Sequence, residues 1–361
     1  MHDPFSKALT LASLIGIIFV GCSKSSDEST PSESADTSPE PSKVVETSQT
    51  DSNVIGAAVD GTDQEPKSLG LTWPDGKRFV YEVKIDQTTT AGESSFAAAL
   101  NSVAGQKFRY SLTADLDEAT GNTLLEMEIL SAMVNLEMMG NKLTFDSENP
   151  APEGSIDPMY TMLEGLNVLI GEKLTLTYSS EGEITEVKGL DDMYDKISKA
   201  LPSQAAPVAQ GFIQEDQFKQ LASYPFWPEA SVKNGESWKQ KYIQVFGASG
   251  AMEVDNTYTL KGKSVRDSRQ VNVLTYDGLV IADAAQNADM MGMEMSMTDG
   301  TNSGEIYVDQ TSGFIVHASS NQEMTMNMKL PEALAAASPG PLAIKANIVQ
   351  STQLIEVTDS E

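Results

Sequence analysis

The chain has 361 residues, of which 52 are acidic and 24 basic, giving a formal net charge of -28. A field of that sign repels nucleic acid and anionic headgroups, and no basic cluster overrides it, so nucleic-acid partners are not expected. A single cysteine and two histidines are too few for a Cys/His zinc site, and no metal or other cofactor is expected.

The N-terminus opens with a polar MHDPFSK and an apolar run from Ala8 to Val20. That run is too short for a permanent transmembrane helix and suits the hydrophobic region of a secretory signal. It ends in Phe19-Val20-Gly21-Cys22-Ser23, which resembles the bacterial lipoprotein signal, with small residues before a cysteine. The resemblance implies a signal peptide over 1–21 and acylation of Cys22 as the first mature residue. Ser23 after it implies sorting to the outer membrane, so the expected location is the bacterial envelope, lipid-anchored in the bilayer through Cys22. Being the only cysteine, Cys22 has no partner for an intramolecular disulfide.

Residues 22–67 are rich in Ser, Thr, Pro and acids, with no aromatic between Phe19 and Trp73. Such a segment cannot bury enough apolar surface to offset its ordering entropy, so it is expected to be a disordered tether. Its random-coil reach would be roughly 35 to 40 Å.

From Ser68 to Glu361 the dominant period is two. Phe79, Tyr81, Val83 and Ile85 alternate with small or charged residues, as do Phe108 to Leu116, Leu125 to Ile129 and Leu174 to Tyr178. This alternation predicts half-buried antiparallel strands. Glu181-Gly182, Asp277-Gly278, Asp299-Gly300 and Ser312-Gly313 read as turns between them. Helical spacing appears after Asp157-Pro158, over Leu190 to Leu201 and from Pro207 to Leu221. Together these predict an α+β body over 68–361: antiparallel curved β-sheet, half-barrel-like, with two or three helices packed on the concave face.

The two halves, 68–201 and 202–361, share a pattern. Trp73 to Val83 and Val232 to Tyr242 each place a glycine before an aromatic strand. FRYSLTADL and NTYTLKGKS follow, then the hairpins EKLTLTYSSEGEITEVKG and GEIYVDQTSGFIVHASS. Duplication would give two similar sheets, or one long sheet built twice. The lipobox, the acidic tether, GLTWPDGKRFVYEVKID, GEKLTLTYSSEGEITEVKGLDDMYDKI and SVKNGESWKQKY together resemble an uncharacterised family of envelope lipoproteins from environmental bacteria. More loosely, the curved sheet with helices in its hollow is similar to the half-barrels of lipoprotein-sorting carriers and sigma-factor-regulator sensor domains. That likeness implies a fold able to hold acyl chains or peptides, and says nothing of activity.

No catalytic constellation emerges. Outside the signal region the only histidine is His317, set in a strand-like GFIVHASS, and no Gly-x-Ser-x-Gly, phosphate loop or calcium loop is present. The acidic pairs Asp191-Asp192 and Glu215-Asp216 read as solvated surface in so acidic a chain, and the chain is expected not to be an enzyme. The methionines are the distinctive feature. Met291, Met293, Met295 and Met297 would form one ridge on a strand, and Met324, Met326 and Met328 a second. Ordinary core is the first reading. A methionine-lined cavity for a lipid or other hydrophobic ligand is the second, because thioether side chains adapt to varied apolar partners. A Cu(I) site is the third. Two function classes therefore stand: a non-enzymatic binding lipoprotein, and a structural or protein-interaction module of the envelope surface, with the aromatic loop Tyr224 to Pro228 as its contact.

Overall fold

The computed structural model describes residues 21–23, 59–91, 101–138, 141–149, 165–179, 182–201, 215–224, 226–245, 251–282, 288–290, 293–329 and 342–360. Fourteen strands join in one sheet, and every strand pair among the described residues is antiparallel. Its path begins at β1 (Gly21–Ser23) and runs through β8 (Ser237–Val245), β9 (Ala251–Arg266), β10 (Arg269–Ala282), β12 (Met293–Asp309), β13 (Ile315–Lys329) and β14 (Leu342–Asp359). It continues through β2 (Lys77–Thr90), β3 (Ser102–Asp117), β4 (Asn122–Met138) and β6 (Lys173–Tyr178) to β7 (Ile184–Lys188). The short β5 (Asn141–Asp146) pairs with β4 off this path, and β11 (Ala288–Met290) with β12.

The chain thus forms two meanders, β2 to β7 and β8 to β14, joined where the last strand pairs with β2 from Lys345↔Thr90 to Asp359↔Lys77. The expected alternation is in place. Phe79, Tyr81, Val83 and Ile85 of β2 are buried, as are Leu125, Met127 and Ile129 of β4 and Leu174, Leu176 and Tyr178 of β6. The hairpins β6–β7 and β12–β13 stand where the sequence places them.

The sheet is strongly curled. Gln244 on β8 and Gln322 on β13 are four strands apart along the path, which in a flat sheet would separate them by about 19 Å. Their side chains are nevertheless hydrogen-bonded, Gln322 Nε2 donating to Gln244 Oε1 at 3.3 Å. Only a half-barrel whose strands face one another across a hollow allows this, and the sheet stays open, with β7 at one end of the path.

The α+β expectation is overturned: the protein is nearly all-β. The helices among the described residues are α1 (Leu190–Ala200), α2 (Glu215–Ala222) and one turn of 3-10 helix at Gly165–Leu169. At 1.5 Å per residue α1 and α2 are about 16 and 12 Å long, far too short to form a layer over a sheet of this width. Helical spacing from Leu190 to Leu221 marks the connection between β7 and β8, not a second layer, and the stretch after Asp157 falls between β5 and β6; residues 157–164 and 207–214 lie outside the described residues. α1 buries Leu190, Met193 and Ile197, and α2 buries Phe218 and Ala222, in the same apolar cluster as the sheet.

Two of the four expected turns are also corrected. Asp277-Gly278 lies inside β10 and Asp299-Gly300 inside β12, the latter at a register shift between Thr298 and Thr301. Both glycines serve close backbone approach within a strand, the other use of glycine besides a turn.

A strap precedes β2. Asp60 bridges to Lys263 and Lys67 to Val232, while Lys67 Nζ donates to Asn234 Oδ1 at 2.8 Å and Asn234 Nδ2 to the Asp63 carbonyl at 2.6 Å. The residues just ahead of Ser68 are therefore pinned along the C-terminal meander.

Candidate functional site

The concave face of the C-terminal meander carries a cavity of about 140 Å³. The pairing register shows how it is assembled, because residues directly opposite on neighbouring strands form rows across a sheet. One row runs Gln240, Asn256, Gly278, Asn302 and Gln322, four amides around a glycine. A second, two residues further along, runs Trp238, Tyr258, Tyr276, Gly304, Ser320 and Gln350. A third, starting at Leu260 and Leu274, continues through Ile306, Ala318, Thr352 and Val83 and is mostly aliphatic.

Asn256 and Asn302 are buried and bonded to each other. Asn256 is 0% exposed, and its Nδ2 lies 3.3 Å from the Tyr242 hydroxyl and 3.1 Å from that of Tyr258. Asn302 Nδ2 reaches Asn256 Oδ1 at 3.5 Å across β10. Gly278 sits between them, paired with both, and a side chain there would run into Asn256 Oδ1 and the Asp255 carbonyl. Gly304 plays the matching part in the aromatic row, since a Cβ would stand 2.6 Å from the Tyr276 hydroxyl. The missing side chains let the Tyr276 ring lie over β12 and let two asparagines meet over β10.

Aromatic rings wall the hollow. Trp238 stacks on Tyr258 at 6.0 Å, and Tyr258 meets Tyr276 at 5.3 Å. The segment after α2 closes one side: Trp238 Nε1 donates to the Phe226 carbonyl and Gln240 Nε2 to the Trp227 carbonyl, both at 2.7 Å. These bonds turn Tyr224 and Phe226 inward, buried and lining the cavity. The aromatic loop read as an outward contact surface is therefore part of the inner wall; Pro225 lies outside the described residues. Tyr110 completes the wall, its hydroxyl 3.4 Å from the Leu221 carbonyl of α2.

The electrostatics of the hollow are neutral. Among the described residues lining it there is no Asp, Glu, Lys, Arg or His. Burial raises the hydroxyls of Tyr81, Tyr110 and Tyr224 well above the ordinary phenol value, and burial alone pushes Tyr178 up to about 12. At neutral pH these phenols are un-ionised donors, as the apolar surroundings require.

The residues singled out from sequence fall elsewhere. The two methionine-bearing strands pair directly, with Met295 opposite Met328 and Met297 opposite Met326. Met324 is buried and Met326 packs half-buried against the core, which is the bland reading for those two. Met291 lies outside the described residues, and so do the side chains of Met293, Met295, Met297 and Met328. The backbone of Cys22 pairs with Gln244 in β1, its side chain again outside them. Asp191 and Asp192 are exposed in the first turn of α1, and Glu215 pairs with Lys219 at 2.7 Å along α2; the Asp216 side chain is not among those described. Among the described residues no group of three or more His, Cys, Asp or Glu is placed to hold a metal.

His317 alternates with the cavity residues Ala318 and Ser320 and so faces away from the hollow. It meets Tyr307 edge-on at 5.9 Å, and the Arg266 guanidinium lies 4.5 Å over that tyrosine. Burial, then the charge of Arg266, push its imidazole down to about 4. It is a neutral strand residue at pH 7.

The amide and aromatic rows carried a sequence signal that strand periodicity alone does not single out. In DNTYT, TYDGL, TNSGE and SSNQE an amide, tyrosine, serine or glycine occupies each inward position of the period-two pattern. Polar residues there look like loops unless the strand is already known to continue through them.

Residues 120–315 match the model of a family of unknown function (DUF6263). No curated protein matches the chain. Among solved structures, an outer membrane channel from Pseudomonas putida F1 aligns over 82% of this chain and 100% of its own, at 9% identity and a TM-score of 0.21. A Salmonella typhi OmpF complex with daunomycin aligns over 78% and 100%, at 7% identity and a TM-score of 0.18. Scores this low carry no argument about fold or function. The match to an uncharacterised family agrees with the sequence resemblance; the lipoprotein character attributed to that family is not part of the match.

Proposed function

We propose, for a chain that belongs to a family of unknown function (DUF6263), that it is a non-enzymatic binding lipoprotein of the bacterial envelope. Cys22 carries the acyl anchor, the acidic segment serves as tether, and the half-barrel holds a small uncharged ligand in its hollow. The observation that supports this reading most is the pocket itself. Four amides, Gln244, Asn302, Gln322 and Gln350, line it at inward positions where a fold needs only apolar side chains. Polar side chains at such positions add nothing to an apolar core, so a ligand-binding role accounts for them better than packing does.

The volume narrows the ligand. Ligand pockets for drug-sized molecules run to roughly 300 to 1,000 Å³, whereas an engineered cavity of roughly 150 Å³ takes up benzene. A hollow of about 140 Å³ is matched to a single ring, and the amides interrupt any continuous apolar track for an acyl chain. The absence of an acid, base or charged group from its lining supports binding without chemistry.

The reading is tested on protein extracted from the membrane fraction of cells grown with an alkyne-tagged palmitate. The tag on wild type and its loss in Cys22→Ser, together with native mass spectra showing a bound species released by unfolding, is the expected result. Untagged protein in the soluble fraction, or a body that never carries or takes up a small molecule, contradicts it.

A further inference from the structure

The ligand class can be read from the chemistry of the pocket, on the premise that the hollow is a binding site as proposed above. From that chemistry we infer that the half-barrel binds a neutral pyranose, alone or as the terminal unit of an uncharged glycan. Each amide side chain presents both donors and an acceptor, and each sugar hydroxyl does the same, so a row of amides pairs with vicinal hydroxyls without needing any particular ionisation. Gln322 and Gln244 use one donor and one acceptor on each other. The Gln244 amide hydrogens and the Gln322 carbonyl oxygen have no side-chain partner among the described residues, so hydrogen-bonding capacity remains at the wall.

The aromatic row supplies the complementary surface. A pyranose has two faces of C–H bonds, weakly positive at hydrogen, which settle on the negative face of an aromatic ring. Tyr258 and Tyr276, with Trp238 stacked behind Tyr258, line the hollow beside Asn302, Gln322 and Gln244. An acyl chain or a purely aromatic ligand would leave the remaining Gln244 donors and Gln322 acceptor unmet, and an anionic sugar would lose its hydration with no cation among the described lining residues to meet it. The volume of about 140 Å³ is matched to one ring.

The test is saturation-transfer NMR on the full chain with glucose, galactose and N-acetylglucosamine, against glucuronate, octanoate and phenol. A neutral pyranose should show transfer strongest at its ring C–H protons. Gln322→Leu and the cavity-filling Ser320→Leu should each weaken it by roughly tenfold or more, the effect of losing one or two hydrogen bonds in a closed site. Leu279→Ala, at an exposed position facing away from the hollow, should leave it unchanged, and far-ultraviolet circular dichroism confirms that each variant is folded. Octanoate or phenol binding in place of every pyranose overturns the sugar assignment while leaving a binding pocket. Silence from all six compounds overturns the assignment and the binding role together.

Discussion

The two meanders share one antiparallel sheet, yet their inner faces differ. In the N-terminal meander the inward positions of β2, β4 and β6 hold Phe79, Tyr81, Ile85, Leu125, Met127, Leu174 and Leu176, all essentially inaccessible. In the C-terminal meander the equivalent positions of β8, β9, β12 and β13 hold Gln244, Asn256, Asn302 and Gln322. A sheet needs an apolar inner face to be stable, and the first meander supplies it, with Gln106 of β3 as a single inward amide between Ile85 and Val134. The second departs from that rule over a contiguous patch, with glycines cut to fit. Local departures from the packing rule mark the places where a protein spends stability on something other than folding.

The contrast can be broken from the apolar side first. Leu125→Ala removes a fully buried side chain from the well-filled meander and should cost about 2 to 5 kcal/mol, read as a fall in the urea midpoint at unchanged slope. A loss below 1 kcal/mol would mean the N-terminal face is not the main core. Next, Gly304→Val should cost about 1 to 3 kcal/mol, because the new side chain meets the Ser319 carbonyl and the Tyr276 hydroxyl. Near-ultraviolet circular dichroism or tyrosine fluorescence that stays unchanged would show that Tyr276 does not lie over β12.

Acid sharpens the comparison from the outer face. The folded imidazole of His317 sits at about 4 against 6.5 for the free group, so folding disfavours its protonation. The stability it contributes is complete above pH 6.5 and is lost as pH falls toward 4. His317→Gln should therefore lose less stability than wild type between pH 7.5 and 4.5, with urea midpoints compared at both. Parallel losses would remove His317 from the account. The smallest effect is expected for Leu279→Ser, within about 0.5 kcal/mol by thermal unfolding, since that side chain is 52% exposed.

Much of the first meander was legible in the sequence because its strands obey strict alternation: Phe79 to Ile85 and Leu174 to Tyr178 announce both strand and inner face. The helices were over-read. Leu190, Met193 and Ile197 do lie on one buried helical face, but helical spacing does not reveal that the segment is a short link between sheet edges. Asp277-Gly278 and Asp299-Gly300 misled for a physical reason, since glycine serves a turn and a close strand crossing equally well, and only the neighbour decides. Here the neighbours are Asn256, Asn302 and the backbone of β13, brought in from outside the local stretch. The pocket was illegible for the same cause: Gln244 and Gln322 meet only because the sheet curls, and curvature is a property of all the strands together. Of the methionines, Met324 and Met326 pack as core, the first of the three readings their ridge allowed.

The claim at the centre is that the inward amides serve a ligand and not the fold. Gln244→Leu/Gln322→Leu removes both partners of the bond that spans the hollow, and replacing both partners with apolar groups of similar size is close to neutral for stability. Equilibrium urea unfolding of this double variant, beside its ligand uptake, tests the claim directly. An unfolding free energy equal to or above that of wild type, with uptake abolished, is the predicted result; a loss of more than about 2 kcal/mol would show that the amides hold the half-barrel together.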